Sequence, residues 1–417
     1  MSLAISASVS MPPSTEANLH VNNTLSKIKL FEGVTVFKTD HVASLWANYG
    51  KIRRLHLRPP SDPSLETPIP RTLILKTISP PPIRHSSDEG HKRKVLSYGV
   101  EKWFYEHLAS RLDAQSDTIK VARCFMTSHP NDPLELLLED LSPQFPVSSY
   151  GSCDDSETRC VLRWLAGFHA TFWGIHQRKD ENILLVPPPV LVVDDNVNSG
   201  VWEQGTYWYL DTRREELEEV GDKYNWLLPW IEKVGIIHVQ FCNTYLLVHF
   251  KPNLVSLSQV NTAIKSEAAE WGTLLHGDVK GANTVFTPHS TRRRSSQSDT
   301  NGPLRCALYD FQYVGIGLCT RDLIYFLGTT AEEKLLRNRE DEMELLRFYH
   351  GALETALQQR DSATPQYPFD KLLRHWEMAI VDWYRFLVSW GMWGNEAWVE
   401  KRAKEIVRDW ERTNTVL

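Results

Sequence analysis

The chain has 417 residues, of which 42% are apolar and 24% charged, and its formal net charge is −6. These values are ordinary for a globular protein, and the length suits a two-lobed molecule of two or three units. The negative charge argues against a nucleic-acid binder, which usually carries a basic face. No apolar run approaches the ~18 residues that a membrane span needs.

The first 26 residues are rich in serine and contain one acid, Glu16, and no Lys or Arg. They lack the basic start of a secretory signal and the arginines of a mitochondrial presequence. We therefore predict a disordered tail over residues 1–26, and a plastid-type transit segment stays open as the alternative. The six cysteines form no CxxC pair, which favours reduced thiols and a cytoplasmic protein.

Residues 27–142 predict a strand-rich lobe with one helix. Short apolar and alternating segments indicate the strands, and Pro-rich segments between them predict loops. The third strand ends on a lysine, Lys76. The expected strands are 34–38, 51–57, 71–76 and 135–139, and the expected helix is 97–112.

Residues 143–417 predict a mainly helical lobe that carries a polar, exposed insert over 288–303. Trp376, Trp383 and Trp390 recur every seven residues. That spacing favours a helix packed onto a core, and an aromatic box for a quaternary ammonium is the alternative. The expected helices are 157–173, 212–224, 260–275, 332–359 and 369–410, and the expected strands are 284–286 and 306–309.

One segment concentrates the groups that phosphoryl transfer needs. It reads His276-Gly-Asp-Val-Lys-Gly-Ala-Asn283, and Asp310-Phe-Gln follows after two expected strands. Asp278 could orient an attacking hydroxyl and accept its proton, while Lys280 could place a positive charge near the γ-phosphate. Asn283 and Asp310 could offer oxygen ligands to Mg²⁺. A lone His-Gly-Asp tripeptide is only a turn, but the joint pattern is specific.

This pattern resembles the catalytic and metal loops of the protein-kinase-like fold. It is most similar to the small-molecule kinase branch: choline kinases, aminoglycoside phosphotransferases and the ecdysteroid-kinase-like group. Residues 136–141, 165–173 and 321–327 resemble the hinge, a helix and the helix after the metal loop in that branch. The resemblance implies an α+β, two-lobed protein-kinase-like fold. Its small antiparallel β lobe would span residues 27–142, and its larger, mainly helical lobe 143–417.

The resemblance also implies ATP and Mg²⁺ as cofactors and assigns roles outside the loops. Lys76 matches the lysine that holds the α- and β-phosphates, and Glu101 matches the helix glutamate that pairs with it, with Glu106 as a rival. Gly50 is the single glycine in the turn that would cover the phosphates. Asp322 would tie down the catalytic-loop backbone, with an ordinary helix-start carboxylate as the alternative. The hinge residues that would meet adenine through their backbone are Glu139, Asp140 and Leu141.

The implied reaction moves the γ-phosphoryl group of ATP to a hydroxyl of a small-molecule partner. The acceptor stays open among choline-like, sterol, sugar and aminoglycoside alcohols, and the sequence does not give the oligomeric state. The missing Ala-Pro-Glu segment after Asp310 argues against a protein kinase. A pseudokinase that senses nucleotide or acts as a scaffold is the rival, and the glycine-poor turn favours it. Carboxylates that could meet a cationic acceptor are too scattered to choose among: Asp194, Asp195, Asp211 and Asp382.

Overall fold

The computed structural model describes residues 25, 28–58, 69–81, 89–115, 118–129, 132–149, 151–178, 181–192, 200–213, 216–217, 224, 226–227, 259–288, 302–361 and 366–414. These residues form two compact units. The first unit combines the residues up to 86 with 122–143, and the second combines 87–121 with 144–417. The domain limits expected from the sequence stay a prediction, and the compact units differ from them by placing residues 87–121 in the second unit.

The first unit is built on an antiparallel sheet. Its strands are β1 (Thr35–Ser44), β2 (Gly50–Arg58), β3 (Thr72–Ile78), β4 (Cys124–Thr127) and β5 (Glu135–Glu139). They pair in the order β1-β2-β3-β5-β4. The four strands expected from the sequence in this lobe are confirmed as β1, β2, β3 and β5, whereas β4 was not expected.

One face of this sheet carries the core of the first unit. Because side chains alternate along a strand, Leu75 faces this core and the next residue, Lys76, lies on the opposite face. Leu25, which belongs to the predicted tail 1–26, is fully buried in the core, and the rest of that tail lies outside the described residues. The cluster contains Leu25, Phe31, Val34, Val36, Leu55, Leu57, Leu73, Leu75 and Leu137.

The second unit is mainly helical. The predicted helix 212–224 and the predicted insert 288–303 lie largely outside the described residues. Trp376 and Trp383 are fully buried, which confirms the core interpretation for them, whereas Trp390 is 55% exposed. The helices are α1 (Glu89–His107), α2 (Asp155–Thr171), α3 (Gln259–Trp271), α4 (Thr320–Thr329), α5 (Arg339–Arg360), α6 (Phe369–Trp390) and α7 (Glu396–Thr413).

Short strands in the second unit hold the loops that carry the candidate chemistry. They are β6 (Val147–Ser148), β7 (Leu185–Val186), β8 (Val201–Trp202), β9 (Thr273–Leu275), β10 (Thr284–Phe286), β11 (Cys306–Leu308) and β12 (Gly315–Gly317). They form two sheets, ordered β11-β10-β6 and β7-β8-β12-β9. The predicted helix 260–275 is wrong in its last turn, because α3 ends at Trp271 and β9 follows Gly272.

Two further properties of the described residues are the hydropathy of the helices and the state of the cysteine thiols. Within the described residues, no helix combines the length and apolar character that crossing a bilayer requires. The five cysteines at positions 124, 153, 160, 306 and 319 carry free thiols, as predicted, and Cys242 lies outside the described residues.

Candidate active site

The catalytic loop (residues 276–283) joins β9 to β10 and carries Asp278, which is only 4% exposed. Lys280 Nζ donates to the two carboxylate oxygens of Asp278 at 3.0 and 2.7 Å. Asn283 Nδ2 donates to Oδ2 at 2.9 Å, and Tyr325 OH donates to Oδ1 at 2.8 Å. Each carboxylate oxygen therefore accepts two hydrogen bonds, which fixes the orientation of the group.

The backbone of this loop is fixed by Asp322, the third residue of α4. Its Oδ2 accepts from the backbone N–H of His276 at 2.7 Å, and its Oδ1 accepts from that of Gly277 at 2.9 Å. His169 Nε2 on α2 lies 3.1 Å from Oδ2, and both side chains are fully buried. Asp322 thus holds the backbone of the catalytic loop, which was one of the two roles predicted for it.

The turn before Asp278 depends on a glycine. Gly277 has φ = 81°, and a Cβ at this position would lie 2.0 Å from the carbonyl oxygen of Tyr313. Burial lowers the pKa of His276, although nearby carboxylates oppose the effect, so its imidazole is neutral. The backbone N–H of Asp278 donates to His276 Nδ1 at 3.3 Å. His276 therefore helps to organise the loop.

Lys280 keeps its charge beside Asp278. Burial would lower the pKa of this lysine, but the attraction and hydrogen bonds of Asp278, with a contribution from Asp310, raise it above its ordinary value. The side chain of Lys280 is 35% exposed, whereas that of Asp278 is 5% exposed. The ammonium is thus a charged group with access to solvent at the edge of a buried carboxylate.

The metal loop (residues 310–312) lies between β11 and β12. Asp310 has a left-handed backbone, φ = 71°, and Gln312 Nε2 donates to its Oδ1. Ser97 Oγ on α1 donates to Gln312 Oε1 at 3.1 Å. The rings of Phe311 and Phe104 stack with centroids 4.2 Å apart. Helix α1 therefore holds the metal loop through a polar and an aromatic contact.

Asn283 and Asp310 are brought together by the pairing of β10 with β11. The backbone N–H of Tyr309, next to Asp310, donates to the carbonyl of Asn283 at 3.2 Å. Among the described residues, no three His, Cys, Asp or Glu side chains group closely enough to hold a metal alone. An amide and a carboxylate still fit Mg²⁺, which commonly takes one or two protein oxygens and completes its shell with phosphate and water.

Glu101 and its rival Glu106 lie on different faces of α1. Glu101 is 1% exposed and lies one helical turn after Ser97, which contacts the metal loop. Glu106 is exposed and accepts from Lys102 Nζ at 2.6 Å. The buried position favours Glu101 as the residue next to the site, and its pairing with Lys76 stays a prediction.

Lys76 and the hinge belong to the first unit. Lys76 is 5% exposed and is in register with Ile52 on β2 and Leu136 on β5. Burial would raise the pKa of Asp140, but hydrogen bonds from Arg54, at 2.6 Å, and Ser142 lower it. The carboxylate of Asp140 thus has a structural partner.

The other hinge residues are also placed in the first unit. The backbone N–H of Glu139 donates to the carbonyl of Arg123 at 2.8 Å, so the N–H of Glu139 serves the β4–β5 pairing. Leu141 is 9% exposed. Contact of this segment with adenine stays a prediction.

The β1–β2 turn (residues 45–49) replaces a glycine-rich loop with a strained backbone. Ala47 and Asn48 have φ values of 55° and 61°, where side chains are disfavoured. Gly50 follows with φ = 151°, and a Cβ there would lie 2.0 Å from the carbonyl oxygen of Thr77. This close approach explains why residue 50 is a glycine. A role for Gly50 in covering the phosphates stays a prediction.

Two site residues were not expected from the sequence. Tyr325 donates to Asp278, and its hydroxyl lies 3.2 Å from that of Tyr207. Burial, followed by the charge of Asp278, raises the pKa of Tyr325 well above its ordinary value, so its hydroxyl stays protonated. Because this proton goes to Asp278, Tyr207 is the donor to Tyr325. A signal for Tyr325 existed: it lies three residues after Asp322, on the same face of α4.

Part of the chain is similar to a known protein family. Residues 243–361 match the sequence model of the ecdysteroid kinase-like family. This segment includes the catalytic loop, the metal loop and α4. Among curated protein sequences, none matches the chain.

Solved structures with similar folds are distant in sequence. A choline kinase from Cryptosporidium parvum Iowa II aligns with a TM-score of 0.44 at 9% identity, over 95% of this chain and 96% of that one. A putative aminoglycoside phosphotransferase from Ralstonia eutropha JMP134 gives 0.43 at 13% identity, over 97% and 99%. An ethanolamine kinase from Plasmodium vivax gives 0.39 at 11% identity, over 96% and 89%.

The predicted α+β class is confirmed, because the chain combines a small antiparallel sheet in one unit with a mainly helical second unit. The segment that matches the ecdysteroid kinase-like family contains both the catalytic and the metal loop.

Proposed function

We propose that this protein transfers the γ-phosphoryl group of Mg·ATP to a hydroxyl of a small-molecule alcohol. The supporting observation is the buried carboxylate of Asp278, which Lys280, Asn283 and Tyr325 hold in one orientation. A carboxylate fixed in this way can align a hydroxyl and accept its proton. In the reaction, the acceptor oxygen bonds to phosphorus, its proton passes to Asp278, and ADP leaves.

An acceptor hydroxyl must displace one of the donors that now contact Asp278, because both carboxylate oxygens already accept two hydrogen bonds. Lys280 makes two of these four contacts and is 35% exposed, so it is the donor that can move. The ammonium can remain charged when it leaves the carboxylate, because an ordinary lysine side chain has a pKa of about 10.4 and the phosphate supplies a new negative partner. We therefore assign Lys280 a movement from Asp278 to the transferred phosphate.

The remaining residues would bind the nucleotide and its metal. Asn283 and Asp310 would hold Mg²⁺, which neutralises phosphate charge when it is bound. Lys76 would hold the phosphates of ATP, and Glu101 would be its expected carboxylate partner. The backbone of residues 139–141 would meet adenine, and the β1–β2 turn with Gly50 would cover the phosphates through its amides.

The test is Mg²⁺-dependent ATP turnover by the purified chain against a panel of choline, sterol, sugar and aminoglycoside alcohols. Asp310→Ala serves as the blank, and Asp361→Ala, at an exposed carboxylate, serves as the matched control. We expect turnover that depends on one class of alcohol, disappears in Asp310→Ala and survives in Asp361→Ala.

Two results would contradict the proposal. Equal turnover in Asp310→Ala would remove the metal loop from the reaction. Binding of Mg·ATP without turnover of any alcohol would favour the nucleotide-sensing module, to which the glycine-poor β1–β2 turn also points.

A further inference from the structure

Arg213 lies inside a group of three aromatic rings. Its guanidinium carbon is 4.5 Å from the ring centre of Trp390, 5.5 Å from that of Phe386 and 5.7 Å from that of Tyr207. The rings contact one another, with centroids 5.6 Å apart for Tyr207 and Phe386 and 5.9 Å apart for Phe386 and Trp390. We call Tyr207, Phe386 and Trp390 the Arg213 cage.

The guanidinium is anchored in this cage. Arg213 Nε donates to the backbone carbonyl of Tyr207 at 3.1 Å, and Nη1 donates to Glu216 Oε1 at 2.9 Å. The residue is 3% exposed, although Trp390 beside it is 55% exposed. A buried cation with a carboxylate partner and three ring faces is a stable part of the fold.

The Arg213 cage adjoins the reacting carboxylate. Tyr207 belongs to the cage, and its hydroxyl lies 3.2 Å from that of Tyr325, which donates to Asp278 at 2.8 Å. Tyr207 and Tyr313 are half-buried, and their rings lie 5.4 Å apart. We therefore expect an alcohol whose hydroxyl binds at Asp278 to contact these aromatic side chains with the rest of its carbon skeleton.

Several aromatic faces around one positive charge are the arrangement that recognises a quaternary ammonium. Here the protein's own guanidinium occupies that position. The ring faces that Arg213 already covers are closed to a second cation, and Arg213, whose charge is paired with Glu216, offers such a cation no attraction.

The carboxylates that could have attracted a cationic acceptor have protein partners where the structure describes them. Asp211 Oδ2 lies 2.6 Å from Lys265 Nζ. Asp382 accepts from both Arg321, at 3.1 Å, and Arg385, at 2.8 Å. Asp194 and Asp195 lie outside the described residues.

We infer that Arg213 is a specificity-determining residue: it fills the aromatic cage beside Asp278, so the site takes alcohols that carry no positive charge. Choline-like and aminoglycoside acceptors are excluded on this ground. The inference rests on the proposed function only in taking Asp278 as the place where the acceptor hydroxyl binds.

The test uses two probes of the same shape, choline and its uncharged isostere 3,3-dimethylbutan-1-ol. Equilibrium binding of each is measured calorimetrically on the full chain, for the wild type and for Arg213→Ala. We expect the wild type to prefer the uncharged probe by about tenfold or more, and the emptied cage of Arg213→Ala to bind choline at least about tenfold more tightly than the wild type does. Adding Trp390→Ala to Arg213→Ala should remove that gain.

Two controls keep the test decisive. Arg213→Met removes the charge and retains the apolar stem in case Arg213→Ala fails to fold. Because Met still fills the cage, the result expected of it is a loss of the preference for the uncharged probe, and circular dichroism verifies both variants. Arg360→Ala removes an arginine outside the cage, whose Nη1 donates to the backbone carbonyls of Ala170, Thr171 and Trp173, and should leave the ratio of the two affinities unchanged.

The inference is overturned if the wild type binds choline as tightly as the uncharged probe, if folded Arg213→Ala gains no affinity for choline, or if folded Arg213→Met keeps the wild-type preference. If the wild type binds neither probe, the inference is decided by whether Arg213→Ala gains affinity for choline. Because binding requires no phosphoryl transfer, a protein that turns over no alcohol would count against the proposed function and not against the role of Arg213.

Discussion

The catalytic loop and the β1–β2 turn specify their geometry in different ways. In the catalytic loop, the side chains of Lys280 and Asn283 both donate to the carboxylate of Asp278. In the β1–β2 turn, the backbone sets the shape: Ala47 and Asn48 take left-handed conformations, and Leu45 N–H donates to the carbonyl of Gly50 at 2.9 Å. A side-chain network leaves a motif in the sequence, whereas a backbone-built turn leaves almost none.

Asp322→Asn tests whether the catalytic loop depends on its side-chain anchor. The amide can accept with one oxygen only, so one of the buried N–H groups of His276 and Gly277 loses its partner. We expect turnover to fall by about 100-fold or more and the free energy of unfolding to fall by about 1–3 kcal/mol. Urea denaturation and steady-state kinetics measure the two effects.

The matched control for that change is Asp361→Asn, at an exposed carboxylate after α5. It should stay within about 0.5 kcal/mol of the wild type. If Asp322→Asn behaved like this control, the loop would hold its shape without the carboxylate, and the contrast with the backbone-built turn would disappear.

Tyr325→Phe removes one hydrogen bond from Asp278 and keeps the ring. The hydroxyl donates to a charged group, and such bonds contribute about 1.5–3 kcal/mol. We expect kcat to fall by about tenfold to 100-fold, which is that energy expressed as a rate, with the KM for ATP nearly unchanged. Tyr384→Phe, at another buried tyrosine, should leave kcat unchanged, and an equal loss in both variants would assign the effect to packing.

Gly50→Ala tests the turn. The added Cβ would lie 2.0 Å from the carbonyl oxygen of Thr77, and φ = 151° disfavours a side chain, so the turn must shift. We expect the KM for ATP to rise several-fold while kcat at saturating ATP stays within about threefold of the wild type, because the network around Asp278 is untouched. A loss confined to kcat would place Gly50 in the chemical step instead.

Ala47→Gly should have the smallest effect. Ala47 already takes φ = 55°, so glycine relieves strain in the folded turn but adds entropy to the unfolded chain. We expect the free energy of unfolding to change by less than about 0.5 kcal/mol. Thermal unfolding measures the change. A larger fall in the free energy of unfolding would show that the side chain of Ala47 itself is needed.

The sequence located the side chains of the candidate site where their chemistry and spacing form a motif, and their roles stay predictions. Asp278, Lys280 and Asn283 fall within six residues, and Asp310 follows a short strand, so one motif locates all four. Strands β6, β7 and β8 could not be predicted, because two residues show no periodicity.

The sequence indicated a possible aromatic box that includes Trp390, but it gave no sign that Arg213 lies in such a box. Arg213 and Tyr207 are near each other in the chain, but Phe386 and Trp390 come from α6, more than 170 residues later. The seven-residue spacing of tryptophans predicted a packed helix and was right for the two residues that face the core. The third, Trp390, lies at the end of α6, where the helix leaves the core and the ring meets Arg213.

The catalytic role of Asp278 is tested most directly by measuring phosphoryl transfer by Asp278→Asn, with Mg·ATP affinity measured on the same protein. Asparagine retains the size of the side chain but cannot accept the acceptor's proton. We predict that turnover by Asp278→Asn falls by about 100-fold to 10,000-fold while the Kd for Mg·ATP stays within about threefold of the wild type. Turnover within tenfold of the wild type would contradict it, because the carboxylate that the whole network holds in place would then not take part in the reaction.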